Sequence, residues 1–71
     1  MRRVAAHRIK TPTFTHIQSI CDIVGSKVMA IRPLLREESM VEWLDGTISC
    51  QYSQDNPNSL QAYYNDKLLK E

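Results

Sequence analysis

The sequence has little of what most catalytic and cofactor sites require. Gly25 and Gly46 are the only glycines among 71 residues, so no glycine-rich loop is available to cradle a phosphate. No apolar run approaches the ~18 residues of a membrane helix. The first residues are charged but lack the apolar segment of a signal peptide. These absences predict a small soluble cytoplasmic domain that binds no cofactor and does not enter a membrane.

Cysteine and histidine are also scarce, and their spacing excludes the usual metal sites. Cys21 and Cys50 are the only cysteines, and both fall within apolar patterns typical of buried thiols. His7 and His16 are the only histidines, and no third or fourth ligand is spaced to complete a site with them. With no nucleophile elbow or paired carboxylates either, the sequence predicts no metal, no catalytic residue and no enzymatic activity.

The charge of the chain is nearly balanced. The net charge is +1 at pH 7, which argues against a nucleic-acid binder that depends on neutralising phosphates. Basic residues do cluster at the start of the chain: Arg2, Arg3, His7, Arg8 and Lys10. We interpret them as the solvated face of a first strand, with a phosphate-contacting edge as the alternative. The composition, 42% hydrophobic and 24% charged, is typical of one folded domain spanning residues 1–71.

The clearest local signal is "MVEWLDGTISCQY", residues 40–52. Polar and apolar residues alternate on both sides of Asp45-Gly46, and Asp-Gly between alternating runs favours a hairpin with a type I′ turn. Val41, Trp43, Ile48, Cys50 and Tyr52 would then share one buried face of the ribbon. The pattern predicts a hairpin over 40–52 with Trp43 in the core.

The other segments suggest a mainly β fold. Residues 2–10 read as a strand, and residues 26–35, apolar on both alternating faces, as a central strand. Residues 16–24 fit a strand or a helix, and their β-branched content favours a strand. A stripe of Leu60, Tyr64 and Leu68 predicts a C-terminal helix over about 58–70. We therefore expect an α+β domain, namely a four- to five-strand β-sandwich or SH3-like barrel with one helix.

The order of three segments resembles the start of bacterial amidohydrolase-superfamily proteins. The segments are "RRVAAHRIKTPTF", "HIQSICDIVGSKVMAIRPL" and "EESMVEWLDGTI", within residues 2–48. In that family they form part of a small β-sandwich beside a catalytic barrel. Here Thr47–Ile48 leads into "SCQYSQDNPNSL" instead of a His-x-His metal pair, so no metal ligand carries over. The resemblance implies a free-standing relative of the β-sandwich without the active site.

Two functions fit these expectations. The first is a non-catalytic β module for self-association or for binding an unidentified protein partner. A homodimer is expected because so small a domain buries little apolar area alone. It would form through a sheet edge, through the helix face, or through both. Only one of the adjacent Tyr63 and Tyr64 could point at the core from a helix, which leaves the other for an interface.

The alternative function is DNA binding by a winged helix-turn-helix domain. Residues 16–25 and 26–35 would form the helix pair, and the Asp-Gly hairpin would be the wing. Lys27, Arg32 and Arg36 would then contact DNA. Pro33 within the recognition helix and the near-neutral charge both count against this reading.

Overall fold

Six strands and no helix make up the protein in the computed structural model, which describes all of residues 1–71. The strands are β1 (Arg2–Lys10), β2 (Thr15–Val24), β3 (Lys27–Pro33), β4 (Val41–Tyr52), β5 (Leu60–Tyr64) and β6 (Lys67–Leu68). They form one mixed sheet in the order β3-β2-β1-β4-β5-β6. Only β1 and β4 are parallel neighbours. The mainly β prediction is therefore confirmed, but the fold is a single curled sheet, a half-barrel, with six strands and no helix.

The sheet curls around its inner face, where the core lies. Cα atoms of β3 and β5 come within 8 Å of each other although neither strand pairs with the other. Every strand except β6 contributes to the enclosed cluster, and the C-terminal Leu69 completes it. The buried members are Val4, Ala6, Ile9, Cys21, Ile23, Val28, Ile48, Cys50, Ala62 and Leu69. Both cysteines are free and buried, as the sequence predicts.

The first two strands agree with the sequence. Residues 2–10 form β1, and the ambiguous segment 16–24 is strand β2, paired antiparallel with β1. Thr11 organises the turn between them, since its backbone N–H donates to the carbonyl of Phe14 at 2.7 Å and its hydroxyl donates to the same oxygen. Pro12, which cannot donate to a ladder, lies in that turn.

Strand β3 is also found where a strand is expected, but not at the centre of the sheet. Gly25, with φ +63°, is the first of two residues that connect Val24 to its ladder partner Lys27. A glycine at that position is typical of a type II′ turn. β3 pairs only with β2 and so lies at the edge of the sheet. The prediction of a central strand is therefore wrong. Its apolar Met29 is accordingly 56% exposed.

The hairpin predicted over 40–52 does not form. Val41–Tyr52 is one continuous strand, β4. Gly46 has φ +96° but Asp45 does not have a positive φ, whereas a type I′ turn needs both. The register with β1 passes from Ala6↔Leu44 to Arg8↔Thr47, so two residues of β4 stand opposite one of β1. Asp45 and Gly46 therefore form a β-bulge, not a turn.

The C-terminal helix predicted over 58–70 is also absent. β5 and β6 are joined by Asn65 and Asp66, whose φ values of +50° and +64° are those of a type I′ hairpin turn. The stripe of Leu60, Tyr64 and Leu68 does not distinguish a helix from a strand, because residues four apart share a face in both. Leu60 and Tyr64 do pack together against the core, with the buried Ala62 between them, which is the two-residue period of a strand.

The connection between β3 and β4 covers part of the outer face. The two strands lie on opposite sides of β2 and β1, so residues 34–40 must cross both. Ala5 and Ile20 are fully buried yet lie outside the inner core cluster. Within the crossing segment, Glu38 bonds to Arg32 of β3 at 2.7 Å. The outer face is therefore shielded at this level by the crossing chain.

Candidate binding surface around Trp43

Trp43 lies on the outer face of the sheet and not in the predicted core. Its side chain is 44% exposed, and its ladder partner on β1 is Ala5. A hairpin would have set Trp43 opposite Ile48 on one face. In β4, Leu44 packs against the core that contains Ile48, so the adjacent Trp43 points to the opposite face. Ile48 is fully buried, as predicted, whereas Val41 is half-buried and Tyr52 is 52% exposed.

Two neighbours hold the exposed indole in place. Nε1 of Trp43 donates a 3.1 Å hydrogen bond to Oδ1 of Asp45. The imidazole of His7 meets the indole edge to face, with centroids 4.8 Å apart and planes at 87°. Aromatic pairs favour this geometry. The ring is therefore fixed in one orientation while almost half of its surface remains available to a partner, as preorganised binding requires.

Backbone irregularities on three adjacent strands meet beside Trp43. On β2, Gln18 has φ +44°, and its expected partner His7 drops out of the β1–β2 ladder. On β4, the bulge at Gly46 lies at the same level. These residues, with Arg8 and the 62% exposed Ile17, line a shallow cavity of about 380 Å³. Bulges at such positions redirect side chains and interrupt strand pairing.

The first half of β4 has a free edge next to Trp43. On one side, residues Val41–Ser49 pair with β1. On the other side, β5 pairs only with Ser49–Tyr52. The other edges of the sheet offer less, because β3 lies too close to β5 to admit the roughly 10 Å that an inserted strand needs, and β6 has two residues. Residues 41–47 are thus the longest accessible edge.

Ion pairs neutralise the arginines at the opposite end of the sheet. The carboxylate of Asp22 lies 3.5 Å from Nε of Arg3 and 3.6 Å from Nε of Arg32. The Arg32 guanidinium also forms two hydrogen bonds to Glu38, which lower the pKa of that carboxyl. Arg2 bonds to both carboxylate oxygens of Glu42 and lowers its pKa in the same way. These arginines are structural partners of carboxylates.

The residues proposed to contact DNA do not lie on a recognition helix. Arg32 is committed to Asp22 and Glu38. Lys27 lies at the β2–β3 turn, and Arg36 lies in the crossing segment. The two segments assigned to the helix pair are strands β2 and β3. The helix-turn-helix arrangement on which these contacts depend is therefore contradicted.

The tyrosines proposed for an interface are strand residues that face opposite sides of β5. Tyr64 packs against the core, and its hydroxyl donates to the backbone carbonyl of Asp45 at 2.8 Å. The hydroxyl of Tyr63 lies 3.3 Å from Oε1 of Gln61. Both side chains are half-buried. The helix face on which the dimer prediction partly rested does not exist, and only the sheet edge remains.

The structure offers few groups for metal binding or for nucleophilic catalysis. No group of three or more histidine, cysteine or acidic side chains lies together as metal ligands would. Burial raises the pKa of the Cys21 thiol to about 12 and of the Cys50 thiol to about 11, which makes both poor nucleophiles. A larger cavity of about 570 Å³ is lined by the two chain ends, where Glu71 pairs with the amino group of Met1.

Comparisons with protein-family models, with curated proteins and with solved structures found no match. They do not bear on the amidohydrolase resemblance, which stays a prediction. The structure contains no helix that could span a membrane.

Proposed function

We propose that this protein is a non-catalytic binding module that forms homodimers through the free edge of β4. The observation that supports this most strongly is Trp43, held by His7 and Asp45 and 44% exposed, directly on that edge. Only 14 of the 71 residues are buried, so a second copy would add apolar contacts that the small core lacks. Tryptophan is also the residue type most enriched among the residues that dominate interface energetics.

A two-fold axis suits this edge. Antiparallel pairing of two β4 strands is self-complementary, as a symmetric dimer requires. The bulge at Gly46 ends regular pairing, so the interface would use residues 41–44. An axis through Trp43 sets Glu42 of each copy opposite Leu44 of the other. If the axis lies between Trp43 and Leu44 instead, Glu42 of each copy lies opposite Asp45 of the other. The two negative charges then repel each other, which disfavours this register. We therefore infer the first register, in which the Trp43 side chains of the two copies are neighbours.

The amidohydrolase resemblance adds an origin to this proposal. On that reading, the module is a free-standing relative of the β-sandwich segment and carries no metal ligands. The helix-turn-helix alternative is not retained, because a domain built only of strands has no recognition helix.

Sedimentation equilibrium over a range of concentrations tests the proposal. The wild-type protein should approach twice the chain mass of 8.2 kDa at micromolar concentration. Trp43→Lys should give a monomer, because a charged side chain at an edge opposes pairing. Tyr52→Lys is the matched control, since Tyr52 is similarly exposed but lies where β4 is already paired on the β5 side. A wild-type monomer at near-millimolar concentration would overturn the proposal.

A further inference from the structure

The cations of β1 divide into two groups. Arg2 and Arg3, near its start, have carboxylate partners in Glu42 and Asp22. Arg8 and Lys10, near its end, form no ion pair. Residues 5–21 contain no aspartate or glutamate at all. The net charge of +1 therefore conceals a local excess of positive charge at one end of the sheet.

This unpaired charge lies beside the exposed indole. Arg8 and His7 line the same cavity, and His7 contacts Trp43. Lys10 is two residues beyond Arg8 and therefore points to the same side of β1. Ala5, the ladder partner of Trp43, is five residues from Lys10, which is about 17 Å along a strand. A span of this length accommodates the backbone of a few nucleotides of a single strand.

The carboxylate of Asp45 lies beside Trp43 but does not oppose an anion strongly. Oδ1 of Asp45 accepts the hydrogen bond from Trp43 Nε1 and so serves to orient the ring. A flat ring beside a row of cations is the pattern with which proteins bind single strands, where phosphates meet lysine or arginine and bases stack on aromatic side chains. A duplex keeps its bases stacked within the helix and offers nothing to the indole.

We infer that the outer surface formed by Trp43, His7, Arg8 and Lys10 binds single-stranded nucleic acid. Arg8 and Lys10 contact successive phosphates, and an unpaired base stacks on the exposed part of the Trp43 indole. His7 supports the ring from its other side. The inference shares Trp43 with the proposed dimer, but Arg8 and Lys10 do not lie on the free edge of β4, so variants of these two cations distinguish the two proposals.

Fluorescence titration tests this directly, since Trp43 is the only tryptophan. An oligothymidylate of about twelve nucleotides covers the expected site and should quench the emission. Two phosphate contacts on a single strand predict that affinity falls about sevenfold between 50 and 200 mM salt. Arg8→Ala and Lys10→Ala should each reduce the logarithmic salt slope by about 0.7. The control Lys27→Ala removes an exposed cation at the β2–β3 turn, at the opposite end of β2 from this surface, and should change nothing.

Three results would overturn the inference. The first is the absence of quenching at high protein concentration and low salt. The second is an affinity of the Arg8→Ala and Lys10→Ala variants equal to that of Lys27→Ala. The third is equal binding of polyglutamate or of duplex DNA of the same length, which would indicate a general anion surface without base stacking. The dimer is tested separately by the mass of the Arg8→Ala and Lys10→Ala variants, which should remain that of the wild type.

Discussion

The indole Nε1 of Trp43 donates its hydrogen bond to Oδ1 of Asp45, two residues further along the same strand. Residues two apart share a face only while a strand continues in extended form. The bond is therefore consistent with β4 continuing as one strand through Asp45-Gly46, where the sequence favours a turn. It also explains how a tryptophan stays ordered at 44% exposure, since its one donor is satisfied at the surface.

Trp43 should contribute little to stability although it is the largest side chain of the protein. Trp43→Ala removes one exposed hydrogen bond and the contact with His7, so we expect a loss of about 1 kcal/mol. Ile48→Ala, at a fully buried position, should cost about 2–5 kcal/mol. Urea denaturation of dilute protein, where self-association does not contribute, measures both. A Trp43→Ala loss as large as that of Ile48→Ala would place the indole in the core after all.

The bulge should depend on glycine because of its backbone conformation. Gly46 has φ +96°, a positive value that residues with a side chain rarely adopt. A Cβ at this position meets no atom within 4 Å, so the cost of a substitution there is one of backbone conformation alone. We expect Gly46→Ala to cost about 1–3 kcal/mol and Ser49→Ala, at an exposed position of β4 without a positive φ, clearly less. Equal losses in thermal unfolding would contradict this.

Local patterns predicted the strands more reliably than their connections. Residues 2–10 and 16–24 carry their own periodicity and β-branched content, and both are strands. Asp45-Gly46 favours a turn locally, but the parallel ladder with β1 continues past it and absorbs the extra residue as a bulge. Asn65-Asp66, a weaker turn signal than Asp-Gly, forms the hairpin instead. Pairing between distant strands decides such cases, and a local window does not contain it.

The candidate surface around Trp43 could not be predicted from the sequence, for the same reason. Placing Trp43 in the core followed from the hairpin register, which aligned it with Ile48. In the continuous strand β4, Leu44 packs against the core, which turns the adjacent Trp43 to the outer face. The basic cluster was visible in the sequence, but the partners that neutralise Arg2 and Arg3, namely Glu42 and Asp22, are distant in the chain. The separation of Arg8 and Lys10 from any carboxylate could therefore not be foreseen.

A substitution in the β5–β6 turn should distinguish the hairpin from the helix that the sequence favoured. Asp66 has φ +64°, and Asn-Gly is the preferred pair for a type I′ turn. Asp66→Gly should therefore stabilise the protein by about 0.5–1 kcal/mol, because relief of the left-handed conformation outweighs the greater freedom of glycine in the unfolded chain. In a helix the same change would destabilise by a similar amount, because glycine is a poor helix former. The sign of the change in the free energy of unfolding decides between the two.

Alkaline pH should destabilise the protein through its two thiols. Their pKa values are raised from 9.0 to about 12 for Cys21 and about 11 for Cys50, so unfolded chains release these protons first. The stabilising effect is complete below pH 9 and declines as the pH rises towards the folded values. Above pH 9, the melting temperature of the wild type should fall more steeply than that of Cys21→Ala/Cys50→Ala. Parallel curves would contradict the assignment.

Hydrogen exchange at two protein concentrations tests the central claim, the pairing of β4 edges, most directly. In the monomer, those backbone amides of residues 41–44 that face away from β1 are open to solvent and should exchange quickly. At a concentration where the dimer predominates, we expect these amides to become protected, while those of Ser49–Tyr52, paired with β5 in both states, stay unchanged. Exchange in residues 41–44 that is independent of concentration, in a sample whose mass has doubled, would show that the protein dimerises through another surface.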